Sequence, residues 1–331
     1  MPLKSSIVQQ NVDISEKWFV IVNPVAGFGR GLEDLPLITK LIRDNDIPYE
    51  LVFSQHKHHV TELTVSAINE GYRHIMVIGG DGTMHEVVNG LFIQQAVPSN
   101  EVTMAVVPVG TGNDWIRMYG IPRKYSEVIR AIRDGYTFLQ DVGEVHYEES
   151  HYQQVRYMAN VAGVGFDPSV TKIYEHDKAK GRRGKHLYAL GCLRSYLKYR
   201  STGVKIWIDG ELVHKNLLFS AAVGICKFNG GGVQQLPEAV ADDGLFDITL
   251  IRPFHWWNLL FRINRLFNGD IYSIGHVHHR KGSHIRIEST PDIMVEVDGE
   301  LLGGTPLEFK IHHRAVRVIV TKEFLEQPVM G

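Results

Sequence analysis

The sequence reads as an α/β plus β protein. An N-terminal Rossmann-like parallel-sheet domain spans residues 1–145, and a C-terminal, largely antiparallel β-sandwich-like domain spans 146–331. Short apolar runs alternate with amphipathic helical segments through the first half, which implies a parallel sheet covered on both faces. After FLQDVGEV (138–145) that alternation stops, and strands joined by short turns take over. A chain of 331 residues also exceeds the usual size of one domain.

WFVIVNP (18–24) is the first strand, closed by Pro24. Leu35, Ile38, Leu41 and Ile42 recur at helical spacing, and DNDIP ends that helix before a second strand, YELVFS (49–54). A helix from Val60 to Glu70 stops at Gly71, HIMVIGG is the third strand, and HEVVNGLF begins the next helix. VTMAVVPVG (102–110) is the fourth strand, and YSEVIRAIRDG is a helix with Gly135 beyond its end. In the second half YMANVAGVGF, GVKIWIDGELV, NLLFSAAVGI, FDITLIRPF, HIRIEST, IMVEVDGELL and LEFKIHHRAVRVIV read as strands. Helical segments at 185–200 and 255–269 interrupt them.

Composition narrows the function. Hydrophobic residues make up 44% and charged residues 22%, ordinary for a globular chain. A net charge of −2 gives no global pull on nucleic acid, and no nucleic-acid partner is expected. Cys192 and Cys226 are too few for a disulfide framework or a thiolate metal cage, and they fit a reduced cytosol. The N-terminus lacks a secretory apolar core, and no apolar run reaches bilayer length, so a cytoplasmic location is expected.

The chemistry gathers at strand ends. NPVAGFGRG (23–31), GGDGT (79–83) and PVGTGND (108–114) follow the first, third and fourth strands, and the second ends at Ser54 and Gln55. In a parallel sheet these loops converge on one edge. Glycines admit close backbone approach, and free N–H groups at a helix start attract anions. Thr83 and Thr111 can donate hydroxyls to phosphate oxygens. Asp81 and Asp114 would repel bare phosphates, so they require a divalent cation such as Mg²⁺. A lone glycine-rich turn is usually structural; three at corresponding strand ends, two with an embedded aspartate, point to a nucleotide-phosphate site. The chain has no G-x-x-x-x-G-K-[ST], and Gly27, Gly29 and Gly31 fail the G-x-G-x-x-G spacing.

NPVAGFGRG, GGDGTMHEVVNGL, PVGTGNDW and, near the end, VEVDGELLGGTP together resemble the diacylglycerol kinase catalytic-domain family, which includes bacterial soluble lipid kinases, sphingosine kinases and ceramide kinases. GGDGT alone is shared with NAD kinases; the full set, in order along nearly the whole chain, is specific. The resemblance implies an ATP-binding α/β domain, a β-rich lipid-substrate domain whose last residues pack back on the first, and an active site in the cleft between. On it, Asn23, Pro24, Val25, Ala26 and Gly27 would hold ATP together with Gly80, Asp81, Gly82, Thr83, Met84, His85 and Glu86. Thr111, on the phosphates, and Asn113 would join them, with Ser54 near the nucleotide in place of a common threonine. Asp81, Asp114 and Asp141 would organise catalytic Mg²⁺ directly or through water, although Asp141 reads equally well as a strand-end turn carboxylate. PEAVADDGLFDITLI (237–251) resembles the family's structural cation site, mapped to Asp243 with the carbonyls of Val240 and Leu245; on its own, ADDG is a hairpin turn.

VEVDGELLGG (295–304) delivers Asp298 and Glu300 with a glycine between, so both could face one side. Phosphoryl transfer to an alcohol benefits from a carboxylate that accepts the hydroxyl proton and orients the oxygen. In the family this DGE supplies that base; Glu300 is the first candidate and Asp298 the second. WIDGEL (207–212) has the same letters without companions and reads as a plain turn.

On the 255–269 helix, Trp256, Leu259, Leu260, Ile263, Leu266 and Phe267 form a core stripe. Trp257 and Phe261 lie off it near Arg262 and Arg265, where a membrane interface or acyl cleft is the alternative to burial. KAKGRRGK (178–185) reads as a solvated basic loop or a lipid-headgroup contact. His56/His58/His59, His278/His279 and His312/His313 read as non-metal, because adjacent strand residues point to opposite faces and no cysteine or HExxH partner exists. The expectation is an ATP- and Mg²⁺-dependent lipid kinase acting on a diacylglycerol-like or sphingoid hydroxyl at the inner membrane face, with a homodimer through an edge strand left open. Its rivals are a NAD kinase and a non-catalytic nucleotide- or lipid-binding regulator.

Overall fold

The structure, a computed structural model, describes residues 12–13, 15–110, 112–179, 191, 194–254 and 263–326. Strands β1 (Trp18–Val22), β2 (Tyr49–Phe53), β3 (His74–Gly79) and β4 (Thr103–Pro108) run parallel in the order β2-β1-β3-β4. Helices α1 (Arg30–Glu33), α2 (Leu35–Asp44), α3 (His59–Asn69), α4 (Asp81–Ile93), α5 (Asp114–Met118) and α6 (Tyr125–Asp134) connect or follow them. Every residue of β1, β3 and β4 is buried, as a sheet covered on both faces requires. Side-chain alternation divides the two cores. Trp18, Val20 and Val22 pack with Ile38 and Ile42 of α2 and with Val128, Ile129 and Ile132 of α6. Phe19 and Ile21 join the core that holds Val60 and Ile68 of α3 and Val87 and Leu91 of α4.

β5 (Thr137–Glu149) runs unbroken past residue 145 into the second half. There follow β6 (Tyr152–Met158), β7 (Val161–Gly165), α7 (Phe166–Ala179), β8 (Thr202–Ile208), β9 (Glu211–Leu218), β10 (Ser220–Gly224) and the short pair β11 (Phe228–Asn229) and β12 (Val233–Gln234). The chain closes with β13 (Phe246–Ile251), α8 (Ile263–Phe267), β14 (Val277–Gly282), β15 (His284–Thr290), β16 (Met294–Val297), β17 (Glu300–Ile319) and α9 (Lys322–Glu326). β17 joins the halves into one sheet. It starts against β16, continues between β15 and β5, and ends with Arg317–Val318 parallel to β4. Register shifts between Gly304 and Glu308 and between His312 and Val316 interrupt its ladder, the kind of irregularity that bends a strand.

Strands β14-β13-β10-β7-β16-β17 make one layer of the second half, and β9-β8-β15-β17-β5-β6 the other. Between them, Phe246 meets Phe309 edge-on at 6.1 Å. Gly143 of β5 leaves room for that ring, since a Cβ there would lie 2.8 Å from Phe246. Returning to the first half, α9 sets Phe324 5.3 Å from both Tyr119 and Phe138.

Two elements differ from expectation. The run YMANVAGVGF is divided: Tyr157 and Met158 end β6, Val161–Gly165 form β7, and after Gly165, at φ +90°, α7 begins at Phe166. Pro168 sits in the first turn of α7, where its missing N–H has no intrahelical partner to lose. VHHRKG, with four polar residues between Val277 and Gly282, forms β14. Of the two expected helical segments, residues 191, 194–198 and 263–267 are helical; Trp256, Trp257, Leu259, Leu260, Phe261, Arg262 and most of the 178–185 basic run lie outside the described residues. Phe267, expected in the core, is 52% exposed.

Phe246→Ala, which empties the space between the layers, is expected to lower the unfolding free energy by about 3–5 kcal/mol in a urea titration. An unchanged midpoint would refute this packing.

Candidate active site

Three loops converge at the carboxyl edge of the parallel strands. Gly27 has a φ of +61°, and a Cβ on it would lie 2.0 Å from the Val109 carbonyl oxygen. A Cβ on Gly80 would come within 3.3 Å of Gly110 Cα. Only glycine allows the first contact, because it alone takes that backbone conformation without a side chain to clash. Asn23 Nδ2 donates to Thr83 Oγ1 at 3.1 Å, and the Val25 N–H to Asn23 Oδ1 at 3.2 Å. Pro24 and Ala26 are half-buried beside Val25, which is exposed. The acid of GGDGT stands in the first turn of α4, with extended Gly80 as the cap, rather than in a turn ahead of the helix.

The neighbouring side chains take local roles. Thr83 Oγ1 receives the Gly80 N–H at 3.4 Å, which closes the start of α4. Met84 is fully buried in the hydrophobic core. Glu86 accepts the Val60 N–H at 3.1 Å and so caps α3. Met84 thus packs in the core, and Glu86 caps a neighbouring helix. Ser54 is buried after β2, with its N–H on the Val22 carbonyl at 2.9 Å. Asn113, at φ +51°, donates from Nδ2 to the Gly110 carbonyl at 2.6 Å. Gly82 is exposed, and Thr111 lies outside the described residues.

Asp81 Oδ1 and Oδ2 accept the N–H groups of Trp115 and Asp114, each at 3.1 Å, which ties α4 to the start of α5. Burial, reinforced by the nearby charge of Asp114, pushes Asp81 up to about 6. Asp114 Oδ2 accepts the Gly231 N–H at 2.6 Å. Its Oδ1 is buried without a hydrogen bond, 3.3 Å from Arg117 Nε. Burial raises Asp114 as well. A half-buried and a buried carboxylate, both above their ordinary range and one with an unbonded oxygen, fit a hard cation beside phosphate.

Asp141 is elsewhere. It is wholly buried, accepting the Arg314 N–H at 2.6 Å and the Gly244 N–H at 2.7 Å, with His313 Nδ1 at 3.0 Å. These bonds tie β5 to the irregular part of β17 and to the 241–244 loop, so Asp141 is a structural carboxylate rather than a partner of Asp81 and Asp114. Asp243 Oδ1 accepts the Leu245 N–H at 3.0 Å, and its Oδ2 lies 3.5 Å from Lys281 Nζ. Of the expected set Val240, Asp243 and Leu245, the structure makes the Asp243–Leu245 turn, and an ammonium already faces the carboxylate.

The DGE stretch meets α4 across the cleft between the halves. Asp298 and Gly299, at φ +49° and +87°, turn β16 into β17. The buried Asp298 carboxylate accepts the N–H groups of Ala159, Asn160 and Val161 at 2.8, 2.9 and 3.0 Å, and His85 Nδ1 lies 3.0 Å away. His85 Nε2 is 3.5 Å from Glu300 Oε2. Burial alone would lower His85, but its bonds to Asp298 and Glu300 prevail and raise it to about 9. His85 therefore bridges the two carboxylates of the DGE. Glu300 also has Lys57 Nζ at 2.8 Å, Arg156 Nε at 3.3 Å and His58 Nε2 at 3.7 Å. Burial would raise its carboxyl, yet His85, Lys57 and Arg156 hold it well below the usual range. With its side chain 14% exposed, Glu300 can still meet a ligand.

Sequence reasoning missed Lys57, His58, Arg156 and Gly231. Gly231 carried a signal in the run of three glycines at 230–232, all of which take positive φ. The other three carried none. The histidine reading needs one change. His312 and His313 face different acids, Glu144 at 2.8 Å and Asp141 at 3.0 Å. His56, His59 and Glu62, however, lie at a helix start rather than on a strand, and their potential ligand atoms fall within 4.8 Å of one another.

Residues 17–145 match the family described as Diacylglycerol kinase catalytic domain, and residues 160–320 that described as YegS C-terminal NAD kinase beta sandwich-like domain. A diacylglycerol kinase of Bacillus subtilis is 29% identical over 257 residues, 76% of this chain and 79% of that protein. One of Mycobacterium tuberculosis is 26% identical over 303 residues, 90% and 93% of the two chains. A solved diacylglycerol kinase from Bacillus anthracis shares the fold with a TM-score of 0.70 at 21% identity, over 95% of this chain and 99% of that one.

The charge on His85 is open to measurement. Its folded value lies above the ordinary 6.5, so its stabilising contribution is complete below that pH and is lost as pH rises through about 9. In a histidine-labelled NMR titration its ring should turn over near 9; turnover near 6.5 would refute the bridge. Asp141→Ala, which leaves the part-buried N–H groups of Gly244 and Arg314 without their acceptor, should lower stability by about 2–5 kcal/mol without added metal.

Proposed function

The chain belongs to the diacylglycerol kinase catalytic-domain family, and we propose that it transfers the γ-phosphoryl group of ATP, with Mg²⁺, to the hydroxyl of a diacylglycerol-like or sphingoid lipid presented at a membrane surface. The observation that carries this reading is the Asp298–His85–Glu300 chain. It holds a partly exposed carboxylate of β17 in place through His85, which stands on the helix that begins with Asp81.

Each group has a task in such a transfer. The N–H groups at the start of α4 and the glycine loops would receive phosphate oxygens. Asp81 and Asp114 would hold Mg²⁺, which neutralises phosphate charge when bound. Ionisation of these two acids costs free energy until a cation arrives, so they favour its binding. Glu300, kept ionised by its cations, would accept the hydrogen bond of the acceptor hydroxyl and aim its oxygen. Asp298 has three N–H groups and His85 on its oxygens, which suits it to holding His85 rather than to taking the substrate proton. Transfer through a loose transition state needs orientation more than proton affinity, so a weakly basic carboxylate suffices.

Glu300→Gln should lower kcat by about 10²–10⁴-fold in an assay of radiolabelled ATP with vesicles containing diacylglycerol, with the thermal melt retained. Full turnover in that variant would overturn the role of Glu300. Failure of the native chain with Mg²⁺-ATP to label any lipid in a broad extract would overturn the kinase reading.

A further inference from the structure

Glu300 has more positive partners than one carboxylate requires. Asp298 balances His85, which leaves Lys57 at 2.8 Å and Arg156 at 3.3 Å against a single negative charge. Among the described residues, Glu300 is the only carboxylate either of them meets within 4.0 Å. The two cations come from separate elements, Lys57 from the loop ahead of α3 and Arg156 from β6. Their exposures differ too: the Lys57 side chain is 71% exposed at the rim, and that of Arg156 is 22% exposed, with its Nε buried and without a hydrogen bond. A guanidinium offers five N–H donors in a fork suited to a tetrahedral anion, and an ammonium adds a mobile point charge. The carboxylate meets the guanidinium edge at a single contact.

We propose that Lys57 and Arg156 form a phosphate-binding cradle that the carboxylate of Glu300 fills in the ligand-free chain, and that the phosphoryl group in transit takes its place between them. A phosphate dianion has more oxygens and more charge than a carboxylate, so it is the better partner for the pair. Its arrival frees Glu300 from two cations and leaves it bonded to His85, where it can receive the acceptor hydroxyl. His58, 3.7 Å from Glu300 on the same loop as Lys57, stands at the edge of the cradle. The phosphate could belong to the nucleotide or to an anionic lipid acceptor. That the phosphate is a group in transit, and its source, rest on the kinase reading; the cradle itself is tested by binding alone.

Inorganic phosphate, titrated calorimetrically into the full chain, is the first probe. Glu300→Gln, which removes the competing charge, should bind it at least tenfold more tightly than the native chain. Adding Lys57→Ala and Arg156→Ala to that variant should abolish the gain. No gain in Glu300→Gln, or a gain that survives loss of both cations, overturns the cradle. Should Glu300→Gln fail to fold, phosphate should raise the Tm of the native chain and leave that of Arg156→Gln unmoved; equal rises overturn the proposal. The same titrations with ATP and with glycerol 3-phosphate separate the sources. A gain with ATP assigns the nucleotide, a gain with glycerol 3-phosphate assigns the acceptor, and a gain with neither counts against the cradle. Because no turnover is read, a failed kinase assay would leave these results standing.

Discussion

Asp298 holds together three segments that are remote in sequence. Its carboxylate takes the N–H groups of Ala159, Asn160 and Val161, between β6 and β7, and faces His85 of α4. Hydrogen bonds to a charged group contribute about 1.5–3 kcal/mol each, and a buried carboxylate without them would be costly. The site geometry follows from this anchor. With Nδ1 of His85 committed to Asp298, its Nε2 faces Glu300 at 3.5 Å and the Asn89 side-chain amide at 3.3 Å, so the exposed carboxylate is met from behind by a ring held in place on both sides. The anchor also spans the cleft, because α4 belongs to the first half and the DGE turn to the second.

Two Asp-Gly turns show how far sequence can be read. Asp209 and Gly210 have φ values of +49° and +86°, and Asp298 and Gly299 have +49° and +87°. Turn chemistry was therefore legible in both, since an Asp-Gly pair between strands specifies this backbone. Their surroundings are opposite. Asp209 stays at the surface, accepting N–H groups from Ser283 and His284 between β14 and β15. Asp298 is driven inward, onto the β6–β7 link. Nothing in the letters of either turn separates them; the glycine loops of the first half do, because they imply a site for the second DGE to face.

The same division explains the rest. Strand alternation, the three glycine loops and the Asp81/Asp114 pair were legible because each is a local pattern with a local cause. Lys57 and Arg156 were not, because a lone lysine in a histidine-rich loop and a lone arginine on a strand look like ordinary surface residues. Gly231 reaches Asp114 across 117 positions of sequence. Asp141 misled for the opposite reason: DVG looks like a strand end, but β5 continues to Glu149, and the acid serves the irregularity in β17 opposite it. A turn-like acid inside a strand is distinguished by its partner strand, which the local sequence does not contain.

The site has two electrostatic ends, and one helix fixes the distance between them. At the first, burial holds Asp81 and Asp114 above their ordinary range; at the second, His85, Lys57 and Arg156 hold Glu300 below its own. An anion is repelled at the first end until a cation neutralises it, and attracted at the second without one. Asp81 and His85 stand four residues apart on α4, one turn and roughly 6 Å along its axis, on the same face. A phosphate chain whose cation sits at Asp81 and Asp114 therefore has one favourable direction for its free end, toward Lys57 and Arg156. An alcohol bonded to Glu300 would wait at that end. The pitch of a single helix thus sets the span that a transferred group would cross, and Asp298, by holding His85, keeps the far end of that span in place.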